Sequence, residues 1–151
     1  MKRDEAAAMA RRIIDANWYM TLATADEDGS PWASPVWFAP EGYTSFLWVS
    51  RPEARHSQNL AVRPQLGIVI FDSTVPFGGA EALYMEGVAE QLDSATAESA
   101  INVFSRRSQV FGAGEWRTEQ VRGPAHLRLY RATASAQYVL DRTDRRVPVS
   151  L

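Results

Sequence analysis

Residues 43–64 read Tyr-Thr-Ser-Phe-Leu-Trp-Val-Ser-Arg-Pro-Glu-Ala-Arg-His-Ser-Gln-Asn-Leu-Ala-Val-Arg-Pro, an apolar segment that runs directly into a polar one. Aromatic and apolar residues dominate the first part, which predicts a strand over residues 43–50. The polar part predicts a helix over residues 53–62. Arg63-Pro64 ends this helix, because the residue before a proline avoids helical geometry. The polar side chains at the start of the helix are therefore expected at one end of a sheet.

The predicted start of this helix carries the most distinctive chemistry in the chain. Ser50 and Glu53 have the spacing of a capping box, and Pro52 falls in the first turn, where its missing N–H costs little. Arg51 and Arg55, four residues apart, are predicted to share one face of that turn. Open N–H groups and the helix dipole favour an anion there, and guanidinium groups suit phosphate oxygens. The residues alone leave two interpretations open, a phosphate clamp or a solvated helix face.

Hydrophobic periodicity predicts the elements on either side. Apolar residues spaced three and four apart indicate helices, and alternation bounded by turn signals indicates strands. The predictions are a helix over 4–17 with the apolar face Ala6, Met9, Ala10, Ile13 and Ile14, strands over 18–25 and 32–39, turns at 26–30 and 40–42, a strand over 66–71, a loop over 72–81 and a strand over 82–92. After these come a helix capped by Asp93 or Ser94 with the apolar face Ala97, Ala100, Ile101 and Phe104, a helical turn at 115–121, and one long strand or two joined strands over 126–133 and 134–140. Hairpin-spaced strands indicate a mainly β protein with helices (β+α), whose antiparallel sheet of about six strands closes into a small barrel.

Composition narrows the classes of function. The 151 residues carry a net charge of −2, which argues against a general nucleic-acid binder, and the lack of cysteine excludes disulfides and thiolate chemistry. With two histidines and no cysteine, no metal site is expected. No apolar run approaches the roughly 18 residues needed to span a membrane, and the N-terminus lacks an apolar signal core. We therefore expect one cytoplasmic domain over residues 1–151, with neither nucleic-acid nor membrane partners.

Three further features bear on a ligand site. Pro35 interrupts the strand over 32–39, and a proline inside a strand implies a sheet edge or a bulge. A plain edge strand and an irregular strand beside a ligand both remain open. Trp116 and Trp48 are candidates to stack on a planar ligand, although core or dimer-interface packing is the more common role of such residues.

Four sets of residues occur in order along the chain: 19–24 with Asp28-Gly29, then 34–38, then Ser50-Arg51 with 55–60 and Arg63-Pro64, then 83–90. Together they resemble the pyridoxamine 5′-phosphate oxidase-like family, the FMN-binding split β-barrels, from Trp18 to about Leu140. The substrate signature of the authentic oxidases, with Glu-Phe-Trp and Arg-Leu-His segments, is not found, and Arg128-Leu129-Tyr130 is only a weak echo of it. We therefore do not predict oxidation of pyridoxamine phosphate itself.

The resemblance implies a split antiparallel β-barrel that binds FMN at a homodimer interface. It implies that the strand over 34–37 runs beside the isoalloxazine ring and that residues 49–59 hold the ribityl phosphate. The cofactor-binding residues predicted in this way, with Trp116 added as the stacking candidate, are Ser34, Pro35, Val36, Trp37, Val49, Ser50, Arg51, Arg55, His56, Ser57 and Asn59. A lysine often occupies the position of His56 in the family, and Arg55 beside it can compensate for the lost charge.

Two hypotheses of function follow. The first is a flavin-dependent oxidoreductase that uses a small-molecule substrate or electron donor, in which the cofactor performs the chemistry and no side chain is assigned as catalytic. The second is a non-catalytic protein of the same fold that stores or senses a flavin or haem. Other branches of the superfamily bind the deazaflavin F420 or haem, so an F420-dependent reductase is an alternative to the FMN enzyme.

Overall fold

The computed structural model describes residues 1–141 and 143–151. The helices are α1 (Arg3–Ala16), α2 (Arg55–Val62) and α3 (Ser94–Val110), with a 3-10 turn at Thr118–Val121. The strands are β1 (Tyr19–Ala25), β2 (Pro31–Trp37), β3 (Ala39–Glu41), β4 (Ser45–Ser50), β5 (Gln65–Phe71), β6 (Ala82–Gln91), β7 (Arg128–Leu140) and β8 (Arg146–Val149). No helix in the described part of the chain has the length and apolar character that crossing a membrane requires.

The strands form one antiparallel sheet that curls into a half-barrel, as predicted. Its order is β2-β1-β5-β6-β7-β4-β3, with β8 paired to β7. The register between β1 and β2 is continuous from Tyr19↔Trp37 to Ala25↔Pro31, so Pro35 lies on a regular edge strand and not in a bulge. The register shifts instead in the pairing of β6 with β7, where Glu86 pairs with Ala136 and Gly87 with Ala134, so Ser135 of β7 is the extra residue. The two ends of the strand path, β2 and the β4–β3 pair, border the opening of the barrel.

Two apolar cores pack on opposite faces of the sheet. The first contains the face of α1 predicted from periodicity and includes Ala6, Ala10, Ile13 and Ile14. The second lies under α3 and includes the predicted face Ala97, Ala100, Ile101 and Phe104. Alternation along a strand serves both cores, because successive side chains point to opposite faces. In β4, Phe46 and Trp48 belong to the first core and Leu47 to the second.

The start of α2 differs from the prediction. The helix begins at Arg55 and not at residue 53, so Pro52 precedes it. The predicted capping box of Ser50 and Glu53 is wrong, because no side chain caps this helix. The Ser50 hydroxyl is hydrogen-bonded to the His56 ring at 2.7 Å and is unavailable as a cap.

The described residues form eight strands where about six were predicted. The predicted strand over 32–39 divides after Trp37, and the predicted turn at 40–42 lies partly in β3, which pairs with β4. Residues 128–140 form one strand, and β8, which was not predicted, pairs with its end. The two unpredicted strands, β3 and β8, have three and four residues and each pairs with its neighbour in the chain. Segments of this length are too short to show a hydrophobic period.

Candidate functional site

A cavity of about 460 Å³ opens where β2 faces the end of β4. The side formed by β2, β4 and α2 is lined by Pro35, Val36, Trp37, Val49, Ser50 and His56, all of which were predicted. The side formed by α3 and the chain after it is lined by Phe104, Ser108, Ala113, Trp116 and Leu127. Among the described strands β2 pairs with β1 alone, so alternate N–H and C=O groups along its free edge have no strand partner. The cavity therefore combines an apolar lining with an open strand edge.

His56 joins β2 to the end of β4 across the opening of the barrel. Its Nδ1 lies 3.1 Å from the Ser34 hydroxyl on β2, and its Nε2 lies 2.7 Å from the Ser50 hydroxyl at the end of β4. These strands do not pair with each other in the sheet. The position of the edge strand beside the cavity is thus set partly by this Ser34–His56–Ser50 bridge.

Burial lowers the pKa of His56 below its ordinary value of 6.5. The ring is therefore neutral near neutral pH. A neutral imidazole has one donor and one acceptor nitrogen, so one serine donates to the ring and the other accepts from it. His56 consequently contributes hydrogen bonds to the cavity but no positive charge.

Three aromatic rings in edge-to-face contact form much of the apolar lining. The centroid of the Phe104 ring lies 5.1 Å from that of Trp37 and 5.4 Å from that of Trp116, and the interplanar angles are 78° and 88°. The backbone N–H of Trp116 donates to Ser105 Oγ at 2.8 Å, and Ser108 Oγ donates to the Gly114 carbonyl at 2.8 Å. These bonds attach the chain after α3 to the helix itself. The cavity lining is thus held in a defined arrangement.

Sequence reasoning missed part of this lining. Helical periodicity identified Phe104, but only as a core residue. No local pattern distinguishes Ser108, Ala113 or Leu127, because the chain returns to the cavity only through the packing of α3 against the sheet. Trp116 was the one residue on this side that the sequence marked as a candidate.

The two arginines are exposed and lie next in the chain to cavity residues. Arg55 is the first residue of α2 and Arg51 precedes the helix, so the prediction that they share one face of its first turn is wrong. Arg51 follows Ser50, and Arg55 precedes His56. Gln58 donates to the Ala54 carbonyl, the first carbonyl available to the helix, and no side chain caps this end. The N–H groups of the first turn are thus open, as at any uncapped helix start. Within the described residues neither arginine forms an ion pair with a carboxylate.

Besides Ser34 and the two arginines, the predicted site residues Ser57 and Asn59 lie outside the cavity lining, and so does the stacking candidate Trp48. Asn59 is buried, and its Nδ2 donates to Thr24 Oγ1 at 3.0 Å, which ties α2 to β1. Ser57 is buried in the same helix. Trp48 is fully buried and stacks on Tyr130 with ring centroids 5.5 Å apart, so it is a core residue.

Comparison with solved structures shows the fold. The chain aligns with HutZ, the heme storage protein from Vibrio cholerae, with a TM-score of 0.67 and 20% identity over 89% of this chain and 92% of that chain. It aligns with a heme binding protein from Mycobacterium smegmatis with a TM-score of 0.72 and 21% identity over 99% of this chain and 60% of that chain. It aligns with an F420 reductase with a TM-score of 0.58 and 17% identity over 80% and 88% of the two chains.

Comparison of sequences identifies the family. No curated protein matches the chain. The family model described as Pyridoxamine 5′-phosphate oxidase matches residues 7–140, a range that includes both sides of the cavity and every strand of the sheet except β8. A match over most of the chain, together with the split-barrel fold, shows that the protein belongs to the pyridoxamine 5′-phosphate oxidase family.

Proposed function

We propose that this chain is an FMN-binding oxidoreductase acting with a small-molecule substrate or electron donor, and that residues 1–151 form one flavin-binding domain. One observation carries the proposal: the apolar cavity at a free strand edge adjoins a helix start with two arginines that have no carboxylate partner in the described chain. FMN has corresponding parts, namely a planar ring with one polar edge and a phosphate on a flexible chain. Family membership makes the same cofactor a natural candidate.

The cavity is suited to the ring end of FMN. Its volume of about 460 Å³ lies within the range of roughly 300–1,000 Å³ that is typical of small-molecule pockets. Trp37, Phe104 and Trp116 offer apolar and aromatic surface to a flat ligand. The free edge of β2 offers backbone donors and acceptors to the polar rim of the ring, near Val36 and Trp37.

The start of α2 is suited to the phosphate end. Arg51, Arg55 and the open N–H groups of the first turn all favour an anion. His56 is neutral and bonded to two serines, so it does not replace the charge of the lysine that often occupies its position in the family. The proposal therefore assigns the phosphate charge to the two arginines.

Bound FMN supplies hydride or single-electron transfer. The residues of this chain bind and orient the ring, exclude water from one face, and direct backbone N–H groups from β2 at its polar edge, where negative charge develops on reduction. The Ser34–His56–Ser50 bridge fixes the distance between that edge and α2. The protein thus contributes position and electrostatics, and none of its side chains is assigned as an acid or base.

The proposed homodimer is supported by the outer face of the sheet. Tyr84 on β6 lies opposite Val69 on β5 and opposite Tyr138 on β7, and Tyr19, Phe71 and Val88 are also exposed there. The relative exposures of Tyr19, Phe71 and Val88 are 57%, 46% and 50%. An exposed patch of large apolar side chains is typical of a protein–protein interface, and a second copy of the chain would cover it.

Two other functions remain as candidates within the family. The structural likeness to an F420 reductase favours an F420-dependent reductase, since the cavity would accept a deazaflavin ring as well. The likeness to HutZ favours a binding protein for haem. A haem would need an axial ligand, and both nitrogens of the buried histidine His56 already bond to serines. This argument favours a flavin or deazaflavin over haem, and membership of the pyridoxamine 5′-phosphate oxidase family makes FMN the proposed cofactor.

The first test is the visible absorption spectrum of the purified protein, with the released chromophore identified by mass. Bound FMN, or added FMN that binds and raises the thermal stability, supports the proposal. F420 or haem in its place would favour the corresponding alternative. Failure to cycle bound FMN with NAD(P)H and common electron acceptors would favour a non-catalytic flavin protein.

The second test addresses the phosphate end. The substitution Arg55→Ala is expected to weaken FMN binding by about 1–3 kcal/mol, because a charge-assisted hydrogen-bond partner is lost. Arg106→Ala is the matched control, since Arg106 is exposed on α3, away from the helix start. Equal FMN affinities in the Arg55→Ala variant and the wild type would refute the role of the arginine.

A further inference from the structure

The Arg55 guanidinium lies over an aromatic ring. Its Cζ lies 4.4 Å from the centroid of Trp32, well within the roughly 6 Å that defines a cation–π contact. Trp32 lies on the edge strand β2 and is 40% exposed, so the contact occurs at the surface beside the cavity mouth. Sequence reasoning did not select Trp32, because 23 residues separate it from Arg55 and nothing local pairs them.

The contact with the ring leaves the guanidinium available to an anion. A guanidinium meets a ring with its flat face, whereas its N–H donors lie in its own plane. Arg55 has no carboxylate partner among the described residues, so those donors are not engaged in an ion pair. A free arginine side chain would lose substantial rotamer entropy on binding phosphate, and a ring that holds it in one orientation reduces that loss.

The ring and the helix are themselves connected. Thr24 Oγ1 on β1 donates to the Trp32 carbonyl at 3.4 Å and accepts from Asn59 Nδ2 on α2 at 3.0 Å. The strand that carries Trp32 and the helix that carries Arg55 are thus joined through one buried threonine. This connection fixes the position of the strand relative to the helix, and therefore that of the Trp32 ring relative to the Arg55 guanidinium.

We propose that Trp32 is a positioning residue that orients Arg55 toward the cofactor phosphate and so makes the site select phosphorylated over unphosphorylated flavin. The inference rests on the proposed function. Arg51 has no such aromatic partner within the described residues, so the effect of Trp32 passes through Arg55 alone.

The test compares the dissociation constants of FMN and riboflavin, measured by quenching of flavin fluorescence. Trp32→Leu is expected to weaken FMN binding by roughly two- to fivefold, the size of an exposed cation–π contact, and to leave riboflavin binding unchanged. Trp32→Phe keeps an aromatic face and should restore most of the FMN affinity. In the Arg55→Ala background, Trp32→Leu should have no further effect. Phe77→Leu is the control, since Phe77 is a fully exposed aromatic residue on the loop between β5 and β6.

The outcomes separate this inference from the proposed function. If the wild type binds neither flavin, the proposed function fails, and the role of Trp32 fails with it. If the wild type binds FMN and Trp32→Leu weakens FMN and riboflavin equally, the ring belongs to the flavin-ring site and the inference is wrong. Unchanged FMN affinity in Trp32→Leu would also overturn it, while leaving the proposed function intact.

Discussion

Replacing His56 with leucine removes the side chain that joins β2 to β4 while keeping a buried side chain in its place. The histidine makes two hydrogen bonds, at 3.1 Å to Ser34 and at 2.7 Å to Ser50. A hydrogen bond contributes about 1 kcal/mol net on average, so losing both should lower the free energy of unfolding by about 2 kcal/mol. Ser50 lines the cavity, where water can reach its hydroxyl, which keeps the loss from being much larger.

This contribution should depend on pH. Burial lowers the pKa of His56 in the folded chain, so between that lowered value and 6.5 the unfolded chain binds more protons than the folded one. The free energy of unfolding therefore falls as the pH drops through this interval. The stabilisation by neutral His56 is fully present above about pH 6.5 and is lost toward lower pH. The difference in free energy of unfolding between the wild type and His56→Leu should therefore become smaller as the pH falls below about 6.5.

Urea unfolding followed by tryptophan fluorescence measures both effects. Wild type and His56→Leu would be compared at about pH 8 and at about pH 5.5, on either side of the ordinary histidine value. His126→Gln is the control, because His126 is exposed and should leave the pH dependence of the wild type in place. An equal stability difference at both pH values would refute the role assigned to the neutral ring. No stability difference at either pH would refute the contribution of the bridge.

Two further substitutions test the sheet. Gly87→Ala should lower the free energy of unfolding by about 1–3 kcal/mol in thermal or urea unfolding, because a Cβ there would overlap the Thr133 carbonyl of the neighbouring strand. Gly67→Ala is the control and should lower it less, because its Cβ would meet only ordinary contacts. Equal losses of stability in the two variants would contradict the packing argument. In the proposed homodimer, Tyr84→Asp would place a charge in the exposed apolar face, so analytical ultracentrifugation should show a dimer for the wild type and a monomer for the variant. Val110→Asp is the control: it changes an exposed apolar residue at the end of α3 and should leave the oligomeric state unchanged. A Tyr84→Asp protein that remains dimeric would rule out this face as the interface.

Several elements followed from short-range patterns. The apolar spacing before residue 17 predicted α1, and Asp93 was named as a cap for α3, where its carboxylate accepts from the Thr96 N–H at 2.8 Å. Arg63-Pro64 marked the end of α2, which closes at Val62. These predictions succeeded because caps, prolines and helical faces act within a few residues of one another along the chain.

The start of α2 shows where such patterns fail. Ser50 and Glu53 have ideal spacing for a capping box, yet the Ser50 hydroxyl bonds to His56, whose other nitrogen contacts Ser34 from a strand earlier in the chain. The three residues meet only after β2 and β4 have curled toward each other. A local pattern could not weigh that bridge against the cap, because Ser34, which holds the other nitrogen of the His56 ring, lies 22 residues before it in the sequence.

The sequence by itself determined the antiparallel β-rich class, the presence of the three helices, and the family to which the chain belongs. It also indicated six of the residues on one side of the cavity, because the family segments carry them. Only the tertiary structure decided the rest of the opposite side, where Phe104, Ser108, Ala113 and Leu127 join the predicted Trp116. It alone also decided the contact of Arg55 with Trp32 and the neutral bridge through His56. Periodicity records which face of an element is buried. It does not record which distant element covers that face, and a site between elements depends on that pairing.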